Sequence, residues 1–180
     1  MDRREQGRTR MLLLTALLAA FGVVLPAVFH WIPGAGAVFL PMHIPVLLCG
    51  LSCGGQYGLL CALVSIGLSH LLTGMPPAGL LPSMALELSI YGLLSGVLYR
   101  RVNTGSAAAD IYFALIGAML SGRVAYGVLN ALVLQTGNYS FETWVGVAFV
   151  TSFPGIVIQL TVIPGVILLM RKAGFSQKPQ

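Results

Sequence analysis

Two charged residues stand alone inside long apolar stretches of this chain, Glu87 and Arg123. An ionisable group that cannot easily reach water is expensive in a membrane, which makes each of them a candidate site residue. Ser83, Glu87 and Tyr91 follow i, i+4, i+8 spacing, and Arg123, Tyr126 and Asn130 follow i, i+3, i+7 spacing. Each set therefore shares one face of a helix. Two compatible readings follow. Glu87 and Arg123 can be a structural ion pair joining two helices. Arg123 can also hold an anionic solute, a task suited to its planar guanidinium fork, while Glu87 keeps it in place. Tyr126, Asn130 and His43 then supply hydrogen bonds. A lone Ser or Tyr in a span usually bonds a neighbouring helix; two polar stripes at matched depth favour a pocket.

The remaining polar residues carry less. His43 sits between Pro41 and Pro45, and a lone histidine there is more often a satisfied helix-end residue than a ligand contact. His30 and Trp31 suit a membrane interface or a loop folded over the pocket. His70 receives no role, and Gln159 falls too deep for the same pocket, so interhelical hydrogen bonding is its expected use. Cys49, Cys53 and Cys61 lie in apolar sequence without metal-type spacing to His or Asp, and read as small residues of membrane helices. No nucleophile elbow, zinc motif, phosphate loop or catalytic carboxylate pair is present. The expectation is no catalytic residue, no metal and no cofactor.

The elements that position these residues are spans. The composition is 57% hydrophobic and 8% charged, where a soluble domain carries roughly 25% charged residues. Mean hydropathy is +0.88. Of the 10 basic residues, all but Arg123 fall in three clusters: Arg3, Arg4, Arg8 and Arg10; Arg100 and Arg101; Arg171, Lys172 and Lys178. They flank apolar runs and show no aromatic interleaving, which argues for membrane topology and against nucleic acid. The positive-inside rule puts all three clusters in the cytoplasm, so an even number of spans separates each pair.

A hydrocarbon core of about 30 Å needs roughly 20 helical residues. The expected spans are residues 10–29, 39–53, 57–72, 79–99, 111–134 and 144–170, in a single transmembrane domain covering residues 1–180. The first resembles a signal peptide, but Pro26 and bulky Phe29 follow its apolar run, and cleavage would break the parity; it is read as uncleaved. Gly54 to Gly58 forms a tight turn, and Pro41 and Pro45 shorten the second helix. Asp110 suits the N-cap of the fifth span, and Pro154 and Pro164 kink a long sixth one. The fold class is all-α: six transmembrane helices with both termini cytoplasmic. At about 1.5 Å per residue, Glu87 lies roughly 12 Å from the outer end of its span and Arg123 about 10 Å. Ala16 and Ala20 in the first span form a small-xxx-small pair that lets another helix approach closely.

The chain resembles the substrate-binding membrane subunits (S components) of energy-coupling factor (ECF) vitamin transporters over nearly its whole length. The likeness rests on Ala16 and Ala20 after a basic N-terminus and on Leu40-Pro41-Met42-His43-Ile44-Pro45-Val46-Leu47-Leu48-Cys49-Gly50. It also rests on the Gly-rich turn before Tyr57-Gly58, on Thr73-Gly74-Met75-Pro76-Pro77, and on Phe153-Pro154-Gly155-Ile156-Val157-Ile158-Gln159. The resemblance implies a six-helix, non-catalytic subunit of a bacterial cell membrane that captures a small vitamin or precursor from outside. It further implies that Ala16 and Ala20 dock a transmembrane coupling subunit joined to two cytoplasmic ATPases. The pantothenate-type member looks nearest, and Arg123 suits a carboxylate such as pantothenate or another acidic vitamin equally. The rival readings are a self-sufficient secondary transporter or channel, and a membrane enzyme using Glu87 and His43. No self-similarity between halves favours the first, and no second catalytic carboxylate favours the other.

Overall fold

The computed structural model describes residues 3–29, 31–32, 34–135, 137 and 139–173. These form helices α1 (Arg3–Phe29), α2 (Ala35–Phe39), α3 (His43–Cys53), α4 (Gly55–Thr73), α5 (Leu81–Arg101), α6 (Ala107–Leu129), α7 (Phe141–Val145) and α8 (Phe153–Lys172). Two π-helical segments, Asn130–Leu134 and Gly146–Thr151, extend α6 and α7. No strand occurs among the described residues. Six stretches are long and apolar enough to cross a membrane: Glu5–Phe29, Ala35–Cys53, Gly55–Thr73, Leu81–Arg101, Ala107–Leu134 and Phe153–Lys172. The protein is a six-helix membrane bundle. His30 lies outside the described residues, whereas Trp31 is 89% exposed.

α3 is the central helix, packed against α1, α4, α5, α6 and α8. Its Val46, Leu47, Cys49 and Leu51 are fully buried. Leu88 and Tyr91 of α5 and Leu115 and Ala118 of α6 join them in the core. Small residues set the spacing. A methyl group on Gly92 of α5 would overlap the backbone of Gly58 on α4, and one on Gly96 would overlap Gly50 and Gly54–Gly55. Backbones can approach this closely only where no Cβ intervenes. Gly54, at φ 104°, makes the one-residue turn between α3 and α4, a conformation that favours glycine.

The structure departs from the sequence expectation at both broken spans. The second span starts at Ala35, as α2, and breaks over residues 40–42 before α3. Leu40 adopts φ 51°, a left-handed conformation unusual for a residue with a side chain. The break sets the N-terminus of α3, with His43 as its first residue, inside the bundle. The expected single sixth helix over 144–170 is instead α7, a π segment, a stop at Ser152 and then α8. Pro154 causes the restart: it lacks an N–H and sits within the first turn of α8, where none is needed. Pro164 is accommodated within α8.

Asp110 is not the N-cap of α6. Ser106 holds that position, and the Asp110 carboxylate accepts from the Thr104 amide at 2.7 Å and hydroxyl at 2.9 Å. His70, given no role from sequence, places Nδ1 2.8 Å from the Pro76 carbonyl and so ties the α4–α5 connection to α4. Arg100, Arg101, Arg171 and Lys172 gather at one end of the bundle, where Arg171 donates to the Tyr99 hydroxyl at 3.1 Å. The α4–α5 and α6–α7 connections, α2 and the two π segments lie towards the other, far end.

Candidate functional site

Three helices bring the isolated charges together. Arg123 of α6 points Nη1 at Glu87 Oε1 of α5, 3.1 Å away. Glu87 is 2% and Arg123 5% exposed, so the pair is buried in the bundle. The first residue of α3, His43, sets Nε2 3.8 Å from the other carboxylate oxygen of Glu87. One carboxylate thus stands between the Arg123 guanidinium and the His43 ring. Tyr91, one turn along α5, packs edge-on against His43 with ring centroids 5.3 Å apart. Its hydroxyl is buried with no hydrogen-bond partner among the described residues, as are Arg123 Nε and both ring nitrogens of His43.

α7 and the break before α8 complete the surroundings of Arg123. Its Nη2 donates to Ser152 Oγ at 3.2 Å, and Ser152 in turn donates to the Ala148 carbonyl at 2.7 Å. Trp144 Nε1 donates to the Arg123 backbone carbonyl at 3.0 Å. The indole fits because residue 127 is glycine: any side chain there would strike it. Between α6 and α8 a cavity of about 110 Å³, lined by Ile116, Met119, Phe149, Ile156 and Leu160, runs along Arg123. Its walls are otherwise apolar.

The expected ligand residues are distributed unevenly. Glu87, Arg123 and His43 form one cluster. Tyr126 is half-buried on the next turn of α6. Asn130 is fully buried, but its amide nitrogen donates to the Tyr126 carbonyl at 2.8 Å and its oxygen accepts from Gln135 at 3.3 Å. Asn130 therefore secures the point where α6 turns π-helical. Tyr139, in the α6–α7 connection, has a buried hydroxyl without a partner among the described residues. Burial, then the nearby Tyr126 and Glu87, raise its phenol above the ordinary range. Sequence spacing missed Trp144, Ser152 and Tyr139, all of which follow the π segment; the only hint was a serine before Phe153-Pro154, a common helix-start pattern.

Gln159 corrects the expectation made for it. It is 0% exposed on α8, yet neither Oε1 nor Nε2 has a hydrogen-bond partner among the described residues. The interhelical bond assigned to it from sequence is not formed. Ala16 and Ala20 are far from this chemistry: both are exposed, on the face of α1 that also carries exposed Leu13, Leu17 and Val24.

The chain is thus a six-helix membrane bundle around a buried cluster of Glu87, Arg123 and His43, with no group of three or more His, Cys, Asp or Glu able to hold a metal among the described residues. The family follows from comparison: residues 10–167 match the family described as ECF transporter, substrate-specific component. The match covers most of the 180 residues, and the chain belongs to this family. Its members are transporter subunits, which implies a small-molecule substrate, a membrane coupling subunit and ATPases. No curated protein and no solved structure matches the chain.

Proposed function

We propose that this S component captures a small carboxylate-bearing vitamin or precursor from outside a bacterial plasma membrane, with pantothenate the nearest type by resemblance. It hands the solute on together with a coupling subunit and two cytoplasmic ATPases. The observation that carries the reading is the buried Glu87–Arg123 contact at 3.1 Å with His43 at 3.8 Å on its other side. Glu87 holds the guanidinium in place, and Arg123 presents its remaining N–H groups to the anion. A bound anion adds a second acceptor to a guanidinium that otherwise faces one carboxylate and one hydroxyl. Tyr126 and His43 add hydrogen bonds, and Asn130 keeps the end of α6 in register.

Both termini face the cytoplasm in this reading, since the basic end of the bundle holds Arg100, Arg101, Arg171 and Lys172. The solute then enters from the far end, where α2, α7 and their flanking breaks are the short elements able to part. The exposed pair Ala16 and Ala20 offers the coupling subunit a close-approach face on α1.

Proteoliposome uptake tests the proposal. Pantothenate and other acidic vitamins should accumulate only when the coupling subunit, both ATPases and ATP are present. Accumulation by this chain alone would replace the reading with a self-sufficient transporter.

A further inference from the structure

Gln159 carries an unmatched pair of hydrogen-bonding groups in the middle of the bundle. Gly155, Gln159 and Ile163 fall on one inward face of α8, in line with its N-cap Ser152, and all four are buried. Ser152 bonds Arg123. Gly155 packs on the carbonyls of Val38 and Phe39, at the break between α2 and α3. One turn further along α8 comes Gln159, and His43 opens α3, a helix against which α8 packs. Tyr91 packs on His43 from α5. The Gln159 amide, both His43 ring nitrogens and the Tyr91 hydroxyl all lack hydrogen-bond partners among the described residues. Buried donors and acceptors without partners thus occur on α3, α5 and α8 as well as at the ion pair.

A buried amide left unpaired lowers stability, and an apolar side chain of the same size would serve packing better. A carboxamide presents one acceptor and donors side by side in a plane. Its complement is another planar group offering a donor beside an acceptor.

We infer that Gln159 is a solute-binding residue, and that the solute carries an amide, ureido or lactam group in addition to its acid. This deepens the proposed function and rests on its anion-binding reading. Arg123 and Ser152 anchor the acidic end near the far end of the bundle, while Gln159, about two turns further along α8, reads the neutral group deeper in. Simple carboxylates satisfy Arg123 alone and leave Gln159 unpaired, so the site selects against them. A site built to hydrogen-bond a group rejects analogues lacking it far more strongly than an apolar pocket does.

The test uses the purified full-length chain and an equimolar panel of carboxylates. Pantothenate, biotin and N-acetyl amino acids carry the second group; octanoate, mevalonate and shikimate do not. Mass spectrometry identifies what the protein retains, and calorimetry measures affinity for it. Wild type should retain a member of the first set. Gln159→Met, close in size and without the amide, should bind that compound about 10- to 100-fold more weakly. The ligand-free variant should unfold at a temperature no lower than wild type; Gln159→Leu repeats the measurement with a second apolar shape. Retention of a carboxylate lacking the second group, or unchanged affinity in Gln159→Met, overturns the inference and leaves the anion reading standing. A lowered unfolding temperature with unchanged affinity makes Gln159 structural. Weaker binding in Gln159→Met but not in Arg123→Gln sinks the anion reading instead, and retention of no carboxylate sinks both.

Discussion

Neutralising Glu87 should damage this protein more than neutralising Arg123, although the two form one ion pair. Both are almost fully buried, so solvent screening gives little relief. In Glu87→Gln the guanidinium keeps only the Ser152 hydroxyl at 3.2 Å as a side-chain partner and loses its counter-charge. Breaking a buried pair in this way costs about 3–5 kcal/mol. In Arg123→Gln the carboxylate still has the His43 ring 3.8 Å away as a polar neighbour. That loss should stay at about 1.5–3 kcal/mol, the range for a hydrogen bond to a charged group. At about 2–4 °C per kcal/mol for a chain of this size, unfolding in detergent should fall by roughly 6–20 °C for Glu87→Gln. For Arg123→Gln the fall should be roughly 3–12 °C by the same conversion. Trp144, bonded to the Arg123 backbone, makes tryptophan fluorescence a local reporter. The double variant removes both charges and should be more stable than the sum of the single losses predicts, by about 2–3 kcal/mol. Additive losses, or a smaller loss for Glu87→Gln than for Arg123→Gln, would refute the coupling.

Three further outcomes follow from the packing. Gly92→Leu should prevent folding or cost several °C in unfolding temperature, because α4 and α5 touch backbone to backbone at Gly58; unchanged thermal stability would contradict the close approach. Replacing Ala16 and Ala20 together by Leu should leave solute binding intact, since both are exposed, yet abolish co-purification with the coupling subunit. A partner that still co-purifies removes the docking assignment. The native cysteines are all buried, so a cysteine introduced at Ser106 should label only from the cytoplasmic side and one at Ser140 only from outside. Labelling at Ser106 in intact cells reverses the orientation.

The ion pair was legible in the sequence for a physical reason. A lone charge in a span must find a partner, and the constant rise of a helix converts residue counts into depth, so Glu87 and Arg123 could be matched before any coordinates. The glycine turn at Gly54 was equally readable, because few residues adopt its backbone angle. Spacing failed where the helix ceased to be regular. The π turns at Asn130–Leu134 and Gly146–Thr151 shift the register of everything after them. That is why Asn130 closes α6 with local bonds, and why Ser152 rather than a residue of a continuous helix reaches Arg123. Gln159 shows the other limit. Its depth could be counted from sequence, but whether a neighbouring helix offers it a partner depends on packing that no spacing records.

Calorimetry on the retained solute decides whether Arg123 holds the solute's acid. Losing one charge-assisted contact costs about 1.5–3 kcal/mol, so Arg123→Gln should bind roughly 10- to 100-fold more weakly than wild type. The amide or alcohol analogue of the solute, which lacks the charge, should bind wild type weakly and lose little more in Arg123→Gln. Native affinity in a folded Arg123→Gln protein would contradict the claim and leave the Glu87–Arg123 pair a structural clamp between α5 and α6.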